Sequence, residues 1–132
     1  MKLDDILEGV DVLEIKGNCS CDVLNFHFDS RLITDNDMFI AVNGVFQDGN
    51  KYINSAIEKG ASVILCESFP ELINDKVTYV LSKNTRKALS KISCNFYNHP
   101  SKKIKLIGVT GTNGKTSVVS LLHQLFSELG EK

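Results

Sequence analysis

The segment Lys105-Leu106-Ile107-Gly108-Val109-Thr110-Gly111-Thr112-Asn113-Gly114-Lys115-Thr116 runs from a β-branched apolar stretch into a glycine turn. Directly after it, Val118, Val119, Leu121, Leu122, Leu125, Phe126 and Leu129 recur at helical spacing. The spacing predicts a strand over 105–110 and a helix from about Lys115 to Leu129. A strand, a glycine turn and Gly114-Lys115-Thr116 at a helix start make the setting of a phosphate-binding loop. Gly111 and Gly114 let the backbone turn its N–H groups toward one point, and the helix dipole adds positive potential there. Lys115 is the candidate catalytic residue, a mobile positive charge for the terminal phosphates. Gly111, Thr112, Asn113, Gly114, Lys115 and Thr116 form the candidate ATP-binding set, with the Thr116 hydroxyl placed to ligate Mg²⁺. The general spacing would put its first glycine at position 109, which is Val109, while Gly108 stands one residue early. Read from the residues alone, a glycine-rich turn without a ligand stays open beside nucleotide binding.

Working toward the amino terminus, periods near two and near 3.6 alternate, which defines an α/β protein. Helices are predicted over Leu3–Gly9, Lys51–Lys59 with Gly60 as its stop, and Thr85–Tyr97 before Asn98-His99-Pro100. Strands are predicted over Val10–Ile15, Val23–Phe28, Met38–Val42, Val63–Cys66 and Val77–Leu81. Residues 16–22 read as a turn, and Gly44 and Gly49 bracket a loop. A polar, basic connector, Pro100-Ser101-Lys102-Lys103, divides the chain into domains at 1–100 and 101–132.

The 132 residues carry 15 Lys plus Arg against 16 Asp plus Glu, a net charge of −1, and 42% are hydrophobic. This composition is that of a globular protein and offers no basic excess for a nucleic-acid partner. The start lacks a basic-then-apolar leader, and no apolar run reaches the roughly 20 residues that span a bilayer. A cytoplasmic protein without membrane insertion is expected. The four cysteines, Cys19, Cys21, Cys66 and Cys94, fit no metal or redox spacing and read as reduced, mostly buried thiols. His27, His99 and His123 have no evident nucleophile beside them and read as structural. Asp35 and Asp37 read as turn formers rather than a metal site.

The segment Ile107–Thr116 resembles the variant phosphate loop of the Mur ligases, ATP-dependent enzymes of bacterial cell-wall synthesis. Two further stretches carry the likeness. Asp29-Ser30-Arg31, then 37–44 and Asp48-Gly49, is similar to the amino-terminal domain of the branch that makes UDP-N-acetylmuramoyl-tripeptide. Phe96-Tyr97-Asn98-His99-Pro100-Ser101 is similar to that family's domain junction.

The resemblance implies an α/β amino-terminal substrate domain followed by the first strand, phosphate loop and helix of a truncated ATPase domain. It implies ATP and Mg²⁺ as cofactors and a UDP-N-acetylmuramoyl peptide as substrate. ATP would phosphorylate the peptide carboxylate, and a diamino acid's amine would then displace phosphate to form the amide. Ser30 and the loop Val45, Phe46 and Gln47 would hold the UDP portion, by backbone contacts and packing of uracil on Phe46. The family's remaining sheet and amino-acid-selecting domain would follow residue 132, so this chain alone is expected to be inactive. Self-association through Leu121, Leu122, Leu125 and Phe126 is a further expectation. A sister ligase that adds the terminal dipeptide and a non-catalytic UDP-sugar-binding module remain as alternatives.

Overall fold

The computed structural model describes residues 1–44 and 48–130. The chain divides into two compact units, Met1–Pro100 and Ser101–Lys132. In the first, five strands, β1 (Val12–Lys16), β2 (Phe26–His27), β3 (Met38–Ile40), β4 (Val63–Cys66) and β5 (Thr78–Ser82), form one sheet. Their order across it is β1-β5-β4-β3-β2. Strands β2 to β5 run parallel, and β1 closes the β5 edge antiparallel.

Side chains alternate across a strand, so each central strand feeds two cores. Met38, Ile40, Val63, Leu65 and Val80 point to one face, where Leu3 and Ile6 of α1 (Leu3–Ile6) and Ala88 and Ile92 of α3 (Thr85–Phe96) meet them. Phe39, Ile64, Cys66 and Tyr79 point to the other, covered by Ile53 and Ala56 of α2 (Ile53–Glu58) and by Ile33, Ala61 and Val77. Burial on both faces explains why β3 and β4 read as unbroken apolar runs. The buried Asn95 amide donates to the carbonyls of Ile6 at 2.9 Å and Glu8 at 2.8 Å, capping α1 from α3. Phe26, Phe96 and Tyr97 stack edge to face, with centroids 5.3 to 6.1 Å apart, where β2 meets the end of α3.

Several sequence expectations shift. The strand expected over Val23–Phe28 shortens to Phe26–His27, because the backbone N–H groups of Val23 and Leu24 bond Met1 and Asn36 instead of a ladder. The first strand begins two residues late, at Val12. The helix expected over Lys51–Lys59 is a 3-10 turn, Gly49–Tyr52, leading into α2. Only Cys66 is a buried thiol; Cys19 is exposed and Cys21 and Cys94 are half-buried. All four are free. Burial raises the Cys66 thiol to about 11, which keeps it protonated and inert.

The second unit holds α4 (Lys115–Glu128) and the segment before it. The strand expected over Lys105–Thr110 forms no ladder among the described residues. A strand exists by pairing, and the described residues of this unit hold no second one. One helix and one extended segment cannot enclose a core. Val119, Leu121 and Leu125 of α4 are accordingly 50–66% exposed. Among the described residues, no helix is long and apolar enough to cross a membrane.

Candidate functional site

In parallel sheets, ligands bind beyond the carboxyl ends of the strands. The loops leaving β2, β3, β4 and β5 all start from that edge, and each carries polar residues.

After β2, Asp29 caps the 3-10 turn Ser30–Leu32 by accepting from the Arg31 N–H at 2.9 Å. Arg31 folds back on the same carboxylate, with Nε donating at 3.0 and 3.1 Å and Nη2 at 2.6 Å. The Arg31 guanidinium, then its backbone N–H, hold the Asp29 carboxyl at about 2. This self-contained brace leaves Ser30, 7% exposed, at the turn's inner side. Asp37, wholly buried, ends the same connection. Its carboxylate accepts from Asn25 N at 3.1 Å, Thr34 N at 2.9 Å and the Thr34 hydroxyl at 2.8 Å. His27 lies 3.8 Å away on β2. Asp37 is thus a structural acceptor, and no group of three metal-ligating side chains exists among the described residues.

After β3, an isolated antiparallel bridge between Asn43 and Asp48 closes the next loop. Asp48 caps the following 3-10 turn, accepting from Asn50 N at 2.9 Å. Gly49 packs so tightly that a Cβ would lie 2.6 Å from both the Ala41 carbonyl carbon and the Val42 nitrogen. Val45, Phe46 and Gln47, expected to hold the UDP portion, lie outside the described residues.

Sequence reading missed a cluster made by the ends of β4 and β5. Glu67 accepts from Thr85 N at 2.8 Å, the Thr85 hydroxyl at 2.9 Å and Asn43 Nδ2 at 2.9 Å. Asn84 caps α3 by accepting from Lys87 N at 2.9 Å. A cavity of about 300 Å³ is lined by Asn43, Gly44, Glu67, Asn84 and Arg86. Its sequence signals were Asn84 before a helical stripe and a carboxylate directly after the apolar run 63–66. A larger cavity, about 740 Å³, lies along Ile104, Ile107 and Phe126 in the second unit. It is the uncovered side of a helix rather than a set of converging polar groups.

In the second unit, Gly114 takes φ +76° as the residue before α4, and Gly111 takes φ +151°. The left-handed value at Gly114 needs a residue without Cβ. Lys115 Nζ donates to the carbonyls of Gly111 and of Thr112, the latter at 3.3 Å, so the ammonium rests over the loop. Thr116 sits in the first turn of α4, where backbone N–H groups lack intrahelical acceptors. Free N–H groups, a helix amino terminus and a lysine held by carbonyls that an anion could replace form a donor set that fits a phosphate chain.

Comparison with known proteins places the chain in a family. The sequence model of the Mur ligase family, catalytic domain, covers residues 25–97, and the chain belongs to that family. It is 45% identical, over 96% of its length, to the UDP-N-acetylmuramoyl-L-alanyl-D-glutamate–2,6-diaminopimelate ligase of Clostridioides difficile (strain 630). Identity to the ligase of the same name from Phocaeicola vulgatus is 43% over the whole chain. The chain spans about a quarter of the length of these relatives (26% and 27%). Among solved structures, the UDP-N-acetylmuramoylalanyl-D-glutamyl-2,6-diaminopimelate–D-alanyl-D-alanyl ligase of Acinetobacter baumannii matches with TM-score 0.70 at 20% identity. That match covers 97% of this chain and 28% of that one, and it speaks for the fold. The Thermotoga maritima MurF ligase in complex with ADP matches at 0.55 and 25% identity, over 79% of this chain and 23% of that one.

Proposed function

We propose that this chain is the substrate-binding domain and phosphate loop of a ligase that adds 2,6-diaminopimelate to UDP-N-acetylmuramoyl-L-alanyl-D-glutamate. The observation that carries the reading is identity of 43–45% along essentially the whole chain to ligases named for that reaction. The local geometry agrees with it: a braced Asp29-Ser30-Arg31 turn and the closed Asn43–Asp48 loop leave adjacent parallel strands at one sheet edge.

In this reading residues 1–100 hold the substrate and residues 101–132 begin the nucleotide domain. Ser30, Val45, Phe46 and Gln47 receive the uridine diphosphate. Gly111, Thr112, Asn113 and Gly114 wrap the ATP phosphates with backbone N–H groups. Lys115 leaves its loop carbonyls for phosphate oxygens, and Thr116 offers its hydroxyl to Mg²⁺. Mg²⁺-ATP supplies the phosphoryl group that activates the substrate carboxylate. The chain's own contribution is to bind and orient the two anionic ligands, and Lys115 offsets charge at the phosphate. The ADP named with the Thermotoga maritima structure supports the nucleotide part.

Calorimetric titration tests the substrate assignment. UDP-muramoyl dipeptide is expected to bind at one site per chain. Binding of UDP-muramoyl tripeptide without binding of the dipeptide would shift the assignment to the dipeptide-adding sister enzyme.

A further inference from the structure

Glu67 stands immediately after the apolar run of β4 and does two things with one carboxylate. One oxygen accepts both the N–H and the hydroxyl of Thr85, at 2.8 and 2.9 Å. The other accepts Asn43 Nδ2 at 2.9 Å. Thr85 is wholly buried and begins α3, which Ala88 and Ile92 lock into the core. It is a rigid anchor. Asn43 is one member of the bridge to Asp48 that closes the loop after β3.

A carboxylate has only acceptors, so it dictates the direction of the Asn43 amide: Nδ2 faces Glu67 and Oδ1 faces away. That Oδ1 is buried and without a hydrogen-bond partner among the described residues. Among the described residues, Glu67 is therefore the polar side chain that holds the Asn43 amide. Its ionised form is favoured chiefly by the Thr85 N–H, against its own desolvation, with Asn43 and the Thr85 hydroxyl assisting.

We propose that Glu67 is a positioning residue for substrate binding: through Asn43 it ties the bridge that flanks the substrate loop to the start of α3, so Asn43 and its bridge to Asp48 are in place before ligand arrives. The proposal rests on the reading that the loop after β3 receives the uridine diphosphate. Pre-organisation of this kind lowers the ordering cost of binding. A brace that served the fold alone would change the melting temperature and leave affinity intact well below the transition.

The test is calorimetric binding of UDP-N-acetylmuramoyl-L-alanyl-D-glutamate to the 132-residue chain, well below its melting temperature. Glu67→Ala should weaken binding about tenfold, equivalent to about 1.4 kcal/mol. Glu67→Gln keeps an oxygen for Thr85 and offers an N–H to Asn43, whose amide turns over to accept it. It should bind within about twofold of the parent, because the tie survives. Asn43→Ala cuts the tie from the loop side without disturbing Thr85. It should match the Glu67→Ala loss, and the double variant should be no weaker than either single one. Glu67→Ala with unchanged affinity overturns the proposal, as does Glu67→Gln as weak as Glu67→Ala. If Glu67→Ala fails to fold, Asn43→Ala decides alone, and unchanged affinity there overturns it. A parent chain that does not bind overturns the substrate-loop reading and the proposal together.

Discussion

Asp35 and Asp37 are two residues apart in one connection, yet the structure assigns them opposite importance. Asp37 is wholly buried and accepts from two backbone N–H groups, Asn25 and Thr34, and from the Thr34 hydroxyl. Asp35 is exposed. Asp37→Ala strands both N–H groups; each costs about 1–3 kcal/mol, while the Thr34 hydroxyl can turn to water. The expected destabilisation is about 2–6 kcal/mol, a large share of the roughly 5–15 kcal/mol that stabilises a domain. With a urea slope of about 1–3 kcal/mol/M, the unfolding midpoint falls by at least about 0.7 M. Asp37→Asn keeps one acceptor and should fall between. Asp35→Ala should stay within about 0.5 kcal/mol of the parent. Urea denaturation followed by circular dichroism reads all three. An Asp37→Ala midpoint indistinguishable from that of Asp35→Ala would refute the claim that this carboxylate organises the β2–β3 connection.

Gly49→Ala sets a methyl 2.6 Å from main-chain atoms of Ala41 and Val42, which cannot step aside as a flexible side chain would. Overpacking of about 1–3 kcal/mol outweighs the roughly 0.4–1 kcal/mol gained from a stiffer unfolded chain. The thermal midpoint should drop, and a rise would contradict the contact. Glu67 governs part of the acid response. Its carboxyl titrates lower in the folded chain than in the unfolded one, mainly because of the Thr85 N–H. Its contribution is therefore complete above the ordinary glutamate range and is lost as pH falls through the folded value. Melting temperature against pH from about 6 to 3 should decline less steeply for Glu67→Gln than for the parent. Parallel curves would remove Glu67 from the acid limb.

What could be read from sequence was what is local. The run Val63–Cys66 matches β4 residue for residue because both its faces are buried, and Asn84 and Gly60 mark the start of α3 and the stop after α2. The Asp29-Ser30-Arg31 brace is an Asx turn reaching two residues, which chain order reveals. Glu67 meets Asn43 across 24 residues and Thr85 across 18, and only the parallel order of β3, β4 and β5 brings them together. The expected strand over 105–110 had the right composition, but composition does not supply a neighbour to pair with. The glycine turn and the helix start at Gly111, Gly114 and Lys115 were legible because glycine conformation and helix start are local properties.

The central claim is that the carboxyl edge of the first unit holds the UDP-muramoyl substrate. Amide chemical-shift mapping of the 132-residue chain during titration with UDP-N-acetylmuramoyl-L-alanyl-D-glutamate tests it most directly. The account predicts saturable shifts concentrated at Ser30, Gly44 and Asp48; shifts confined to residues 101–130, or none, would contradict it.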